Sequence, residues 1–155
     1  MYVIDSCSTI RLFRYFHPDV HVSLWAEFHG AFETGVLLSV DECRKELIRK
    51  DDTAGAWATS AASQFIVPTS DETDFVEEVL GVPQFSGNLP MNVILAGEPY
   101  ADPFLVARSK YESRKIITEE RFAPNSAKIP TICRHFGLKE PVTLDEWMIE
   151  MGFKF

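Results

Sequence analysis

Short, largely apolar segments alternate with helical patterns along this chain, and no other feature restricts its fold more. The segments are residues 2–4, 36–40, 65–67 and 115–118, and they are rich in β-branched and aromatic side chains. Such runs are typical of strands buried on both faces, as in parallel sheets. Parallel strands need long crossover connections, which are usually helices. The sequence therefore predicts an α/β fold around a central parallel sheet.

Helical patterns fill most of the chain between these segments. Gly35 is expected to end the second helix, and a capping box from Thr143 to Glu146 to begin the last. Residues 81–99 are rich in proline and glycine and are predicted to be mainly loop, with a short turn at 91–95, and residues 141–142 are a candidate strand. The predicted helices span residues 6–16, 22–32, 41–50, 54–63, 71–80, 102–113, 129–136 and 143–151. These elements fit a single domain covering residues 1–155.

The chain is acidic. Its 15 basic and 23 acidic residues give a net charge of −8 and a pI near 5.0. This charge argues against binding of nucleic acid through bulk positive charge, but leaves a local patch or metal ions open. The three cysteines have no disulfide or metal-binding spacing. There is no signal-peptide pattern and no apolar run long enough to span a bilayer, so we expect a cytoplasmic protein that does not contact a membrane.

Acidic residues follow the predicted strands. Asp5 comes directly after the first strand, and Asp102 opens the helix before the strand at 115–118. Glu42 and Glu46 lie four residues apart on the helix after the second strand, and Glu119 and Glu120 follow the strand at 115–118. Parallel strands joined by right-handed crossovers place their carboxyl ends at one edge of the sheet. We therefore expect four acidic positions to meet in one cleft.

Clustered carboxylates repel one another, and a divalent cation removes that cost. Oxygen ligands suit Mg²⁺ or Mn²⁺, and such ions catalyse phosphodiester hydrolysis. Each acid also has a simpler explanation, because Asp102 before Pro103 suits a helix N-cap and the glutamates suit solvated helix or turn positions. The joint pattern favours a metal-dependent phosphodiesterase over these separate roles.

Four segments resemble the PIN-domain nucleases, which include the VapC-type toxins of toxin–antitoxin pairs. Residues 2–10 (YVIDSCSTI) resemble the opening strand, first acid and hydroxyl of that family. Residues 43–47 (CRKEL) resemble its helical Glu-Leu element, which selects Glu46 over Glu42. Residues 101–107 (ADPFLVA) resemble its third acid, and residues 116–120 (IITEE) its last strand, threonine and final acid. Residues 128–155 resemble the end of an uncharacterised PIN subfamily.

The resemblance implies a three-layer α/β/α PIN-like fold and an endoribonuclease that leaves a 5′-phosphate. It implies Mg²⁺ or Mn²⁺ held by Asp5, Glu46, Asp102 and Glu120, with Glu119 as the substitute for Glu120. Ser6 and Thr118 would support the metal or a phosphate oxygen. The sequence departs from the family pattern at Cys7, where serine or asparagine is frequent, and at the final acid, which is often aspartate. A homodimer inhibited by a protein antitoxin is implied as well.

Basic residues are unevenly distributed. None lies between Thr53 and Ala107, whereas residues 105–139 hold eight basic residues against three acids. Two interpretations of this segment are open: it holds an RNA backbone, or it is a solvated helix face with scattered salt bridges. The acidic stretch is a candidate surface for a basic partner such as an antitoxin tail. Tyr100 is a candidate for base stacking. The candidate RNA-binding cations are Arg108, Lys110 and Arg121 first, and then Arg114, Lys115, Lys128 and Arg134.

One alternative function remains open at this point. A PIN-like domain can keep its fold and act as a catalytically weak or inactive binding or scaffold module. The four acids argue against this alternative, whereas the glutamate at position 120 is compatible with it.

Overall fold

A computed structural model describes residues 1–50 and 52–153, so positions 51, 154 and 155 of the predicted domain lie outside the described residues. Four strands form one parallel sheet in the order β3-β2-β1-β4. The strands are β1 (Tyr2–Ile4), β2 (Leu37–Val40), β3 (Phe65–Ile66) and β4 (Lys115–Ile117). The predicted α/β fold with a central parallel sheet is confirmed.

Ten α-helices accompany the sheet in the described part of the chain. They are α1 (Ser6–Tyr15), α2 (Val22–Glu33), α3 (Asp41–Ile48), α4 (Thr53–Ser60), α5 (Ser70–Gly81), α6 (Pro83–Ser86), α7 (Met91–Leu95), α8 (Asp102–Glu112), α9 (Ile129–His135) and α10 (Leu144–Glu150). The capping box predicted at Thr143 and Glu146 is present, and Gly35 has the positive φ that suits the end of α2.

Three local predictions differ from the structure. The predicted loop at 81–99 contains two short helices, α6 and, in place of the turn predicted at 91–95, α7. Pro83 occupies the first turn of α6, where a missing N–H costs nothing. The helix predicted to reach residue 63 ends at Ser60, and a 3₁₀ turn (Ala62–Gln64) follows. The candidate strand at 141–142 is only a single parallel bridge between Val142 and Ile117.

Buried side chains lie on both faces of the sheet, which gives three layers. Val3 and Ile116 belong to a core shared with α3, α5, α8 and α9. Their chain neighbours, Ile4 and Ile117, belong to a second core with α2 and α10. The alternation follows from the twofold period of a strand, which sends successive side chains to opposite faces. Because all four strands run the same way, the residues that follow them lie at one edge of the sheet. No helix among the described residues is long and apolar enough to cross a membrane.

Candidate metal centre

Asp5 follows β1 at the edge of the sheet where the strands end. Its side chain is 4% exposed and does not cap α1. Thr118 Oγ1 donates to Asp5 Oδ2 at 2.9 Å, and Cys7 Sγ donates to the same oxygen at 2.7 Å. Ser6 Oγ lies 3.4 Å from Oδ1. Thr118 and Cys7 fix the carboxylate by donating to it, and the roles of Ser6 and Thr118 at a metal or a phosphate oxygen stay predictions.

Glu46 reaches the same region from α3. Ser6 Oγ donates to Glu46 Oε2, and the Ala101 backbone N–H donates to Oε1 at 2.9 Å. Burial raises the pKa of Glu46, these two hydrogen bonds lower it, and Asp5 raises it further. Glu42 instead pairs with Lys45 on its own helix. Of the two glutamates on α3, Glu46 is the one beside Asp5.

Asp102 is the first residue of α8 and is not its N-cap. Ala101 occupies the cap position, so the interpretation of Asp102 as a simple cap is wrong. The pKa of Asp102 is raised well above its usual value, first by burial and then by Asp5, Glu120 and Glu46. A hydrogen bond with Tyr100 acts in the opposite direction. Asp102 is thus the carboxyl group whose pKa is raised by the charges of all three other acids.

The two glutamates after β4 point to different partners. Glu119 Oε2 pairs with Arg11 Nη1 at 2.6 Å, and its Oε1 accepts from the Leu144 backbone N–H at 3.0 Å. Glu120 Oε2 accepts from the Ile129 backbone N–H at 2.7 Å, and its pKa is raised by burial and then by Asp5. Glu120 therefore belongs electrostatically with Asp5 and Asp102, whereas Glu119 ties α1 to α10.

The tightest potential ligand group includes a residue that the sequence interpretation missed. Ligand atoms of Asp5, Cys43 and Glu46 lie within 4.8 Å of one another. Cys43 is one helical turn before Glu46, a spacing that would have revealed it. Burial raises the pKa of its thiol well above the usual range, so the thiol stays protonated at neutral pH. No other described group of three, including any with Asp102 or Glu120, is equally close.

The donor set fits a hard divalent cation. Four carboxyl groups share one region, and for three of them, Glu46, Asp102 and Glu120, proximity to other acids raises the pKa. Cys7 adds no anion, since burial, followed by the effect of Asp5, raises its pKa to about 12. Oxygen-rich anionic sites of this kind suit Mg²⁺ or Mn²⁺.

The structure corrects the predicted RNA-binding cations. Arg108 is 5% exposed and makes two N···O contacts of 2.8 Å with Glu72, so it cannot meet an RNA backbone. Lys110 lies eight residues after Asp102, about 12 Å along α8 at 1.5 Å per residue, with its Nζ 3.7 Å from the centre of the Phe75 ring. Arg114 is also buried and donates to the carbonyl oxygen of Gly35 at 3.0 Å.

Other cations do lie beside the acids. Arg121 and Glu120 line the same surface cleft, and Lys128 lowers the pKa of Glu120 through its charge. Arg49 and Lys50, which the sequence interpretation did not select, line an open cleft with Glu46. Tyr100 is half-buried and hydrogen-bonded to Asp102, and its stacking on a base stays a prediction.

Comparison with known proteins places the chain in a family but not in a functional class. Residues 2–155 match the family described as "Domain of unknown function (DUF4411)", so the chain belongs to that family. No curated protein and no solved structure matches it.

Proposed function

We propose that this member of the DUF4411 family is a PIN-like, Mg²⁺- or Mn²⁺-dependent endoribonuclease. One observation carries the proposal: ligand atoms of Asp5 and Glu46, which come from separate elements, lie within 4.8 Å of each other. The charges of both residues, together with that of Glu120, raise the pKa of Asp102. Such an arrangement of like charges costs stability unless a ligand uses it. RNA hydrolysis is the activity implied by the resemblance of these four positions to the PIN-domain nucleases.

The cation would be held by Asp5 and Glu46, whose carboxylate oxygens are closest, with Asp102 and Glu120 completing the anionic surroundings. Bound there, it would supply Lewis-acid polarisation of a phosphoryl oxygen and neutralise charge that develops during hydrolysis. Thr118 and Cys7 orient Asp5 by hydrogen bonds, and Ser6 donates to Glu46. This orientation is present before any substrate arrives, which is the condition for electrostatic preorganisation.

A proton acceptor for the attacking water is also available. Glu120 is an acceptor at the edge of the anionic surroundings, and in the metal-free protein burial and then Asp5 raise its pKa. The Ile129 N–H holds one of its carboxylate oxygens. We assign Glu120 the role of taking up the proton, and Lys128 nearby would limit how far the pKa rises.

The proposal includes the setting that the resemblance implies: a cytoplasmic toxin, dimeric, and neutralised by a protein antitoxin. The outer face of α5 offers a site for a basic antitoxin segment, because Asp71, Asp74, Glu77 and Glu78 are all exposed there.

A second candidate, a binding or scaffold module without activity, is favoured by one specific observation. Glu46 and Glu120 each accept a hydrogen bond from a backbone amide of another segment, at Ala101 and Ile129. These contacts give both glutamates a structural role that an inactive domain would also need.

RNA cleavage distinguishes the two candidates. Wild-type protein should cut a mixed pool of structured RNAs with Mg²⁺ or Mn²⁺ but not with EDTA. Asp5→Asn and Asp102→Asn should each lower the rate by at least about 100-fold, a typical loss when one preorganised electrostatic group is removed. Glu77→Gln, an exposed acid on α5, is the matched control and should cut like the wild type. Cleavage that persists in EDTA, or in both asparagine variants, would contradict the proposal.

A further inference from the structure

An open cleft of about 380 Å³ lies directly beside the acidic centre. It is lined by Ser6, Glu46, Arg49, Lys50, Glu98 and Pro99. The first two residues belong to the proposed metal centre, so a substrate bound there would extend into this cleft. The two cations and Glu98 have no part in the hydrolysis proposed above.

The cations of α3 and its end divide into two groups. Lys45 pairs with Asp41 and Glu42, and Arg44 Nε donates to the Ala58 carbonyl oxygen at 3.1 Å. Arg49 and Lys50 follow the helix and are exposed. Arg49 Nη2 contacts Glu98 Oε1 at 2.7 Å, with about half of the arginine side chain still exposed (49%). Arg49 therefore remains accessible to an anion.

We propose that Arg49 and Lys50 form a subsite for an RNA backbone phosphate next to the bond that is cut, and that Glu98 occupies this subsite until RNA displaces it. The inference rests on the proposed function, because RNA is the substrate assigned there. It adds a phosphate-binding pair and a competing carboxylate that the four acids do not explain.

Electrostatics supports this assignment. The four acids repel a polyanion, so an RNA strand that reaches them needs cations beside its path. Arg49 and Lys50 supply such cations on the α3 side of the centre, as Arg121 and Lys128 do on the β4 side. A guanidinium binds a phosphate and a carboxylate with the same fork of N–H donors. An exposed ion pair contributes little to stability, so phosphate can replace Glu98 at small cost.

Binding of RNA, measured separately from cleavage, tests the subsite. Every protein in the series carries Asp102→Asn, so that the RNA stays intact under the proposed mechanism. Fluorescence anisotropy with a labelled 12-nucleotide single-stranded RNA in Mg²⁺ gives Kd at several salt concentrations. Arg49→Ala and Lys50→Ala should each weaken binding about five- to tenfold. Each should also make the negative slope of the logarithm of the association constant against the logarithm of the salt concentration shallower by about 0.7.

The sign of the Glu98 effect is the sharper test. Glu98→Gln removes the competing charge and should tighten binding about threefold, but only while Arg49 is present. Arg49→Lys should weaken binding less than Arg49→Ala, because it keeps the charge and loses the fork. Lys110→Ala, on the far part of α8, is the matched control and should bind like the parent protein. Thermal unfolding of each variant verifies that it is folded.

The outcomes separate this inference from the proposed hydrolysis. Arg49-dependent RNA binding without cleavage by the wild type would leave the subsite standing and overturn the hydrolysis. Cleavage together with unchanged affinity in the folded Arg49 and Lys50 variants would overturn the subsite alone. Absence of RNA binding by the parent protein, or weaker binding by Glu98→Gln, would also overturn it.

Discussion

The pKa of Asp102 is raised by its burial and by the charges of three other carboxylates. The sequence predicted this position from the strand ends and from the resemblance. It could not predict that Thr118 would hydrogen-bond to Asp5, because this contact joins elements distant in sequence. The contacts of Tyr100 with Asp102 and of Cys7 with Asp5 join residues only two positions apart, but no sequence pattern fixes the direction of these side chains. Glu119 and Glu120 are adjacent in the chain, and only the direction of each side chain separates an ion pair with Arg11 from a place beside Asp5.

Replacement of Asp102 should change stability in a pH-dependent way. The raised pKa of the Asp102 carboxyl group does not lower the free energy of unfolding below pH 3.8, its pKa in the unfolded chain, because the group is protonated in both states there. The loss of stability grows as pH rises from this value to the pKa of Asp102 in the folded state, and it is constant above that pKa. Asp102→Asn should therefore raise the Tm of metal-free protein near pH 7.5 and have a smaller effect near pH 4, measured by thermal unfolding in EDTA.

The exposed acid Asp74 supplies the control for this experiment. Asp74→Asn should leave Tm nearly unchanged at both pH values. A destabilised Asp102→Asn protein near pH 7.5, or an equal gain at both pH values, would mean that the carboxylate is not under strain in the metal-free fold.

At the level of elements, the packing of α4 on α3 helps to place Glu46. Asp52 caps α4 by accepting a hydrogen bond from the Gly55 N–H at 3.0 Å. A Cβ on Gly55 would lie 2.8 Å from the Leu47 carbonyl oxygen, and Leu47 is the neighbour of Glu46. The helices were predictable from their apolar spacing and capping residues. The close approach of these two backbones was not, because no local pattern encodes it.

Gly55→Ala should destabilise the protein by about 1–3 kcal/mol, since the backbone of α3 or α4 must shift to admit the methyl group. The shift should also weaken Mn²⁺ binding. Gly30, in α2, provides the matched control because nothing lies within 4 Å of its added Cβ. Gly30→Ala should instead stabilise the protein by up to about 1 kcal/mol. Urea unfolding measures both values, and a neutral Gly55→Ala would contradict the packing argument.

Across the whole molecule, the number of charges in a segment and the positions of those charges in the fold lead to different conclusions about where RNA could bind. The basic segment at 105–139 was predicted to hold RNA, yet Arg108 lies between α5 and α8, where Glu72 serves both the capping box of α5 and the ion pair. Sequence alone gives the number of charges in a segment but not which of them are buried. Two of the cations beside the acidic centre, Arg49 and Lys50, lie outside this basic segment, whereas Arg121 and Lys128 lie inside it.

Arg108→Met should therefore affect stability and not RNA contact. It leaves Glu72 buried without its partner, which typically costs about 3–5 kcal/mol. Lys110→Met, two residues along the same helix, should cost about 1 kcal/mol or less through its lost contact with the Phe75 ring. Denaturant unfolding of both variants tests this contrast. Equal effects from the two substitutions would contradict the buried ion pair.

The fold as a whole was more predictable than the site. Apolar strand segments and helix spacing depend on neighbouring residues, and they predicted the parallel sheet and most of its helices. The cleft at Arg49, which was missed, depends on contacts between distant elements. Cys43 was also missed, although its spacing of one helical turn from Glu46 places it on the same side of α3. The four acids were predictable because the topology of a parallel sheet itself places strand ends together.

Direct binding of Mn²⁺ tests the central claim, that the acids at this edge of the sheet form one cation site. Electron paramagnetic resonance of free Mn²⁺ during titration should show saturable binding to the wild type. Binding should be lost or weakened at least about tenfold in Asp5→Asn and Glu120→Gln, and it should be retained in Glu119→Gln, the adjacent acid that pairs with Arg11. No saturable binding by the folded wild type, or equal binding by all three variants, would contradict the account.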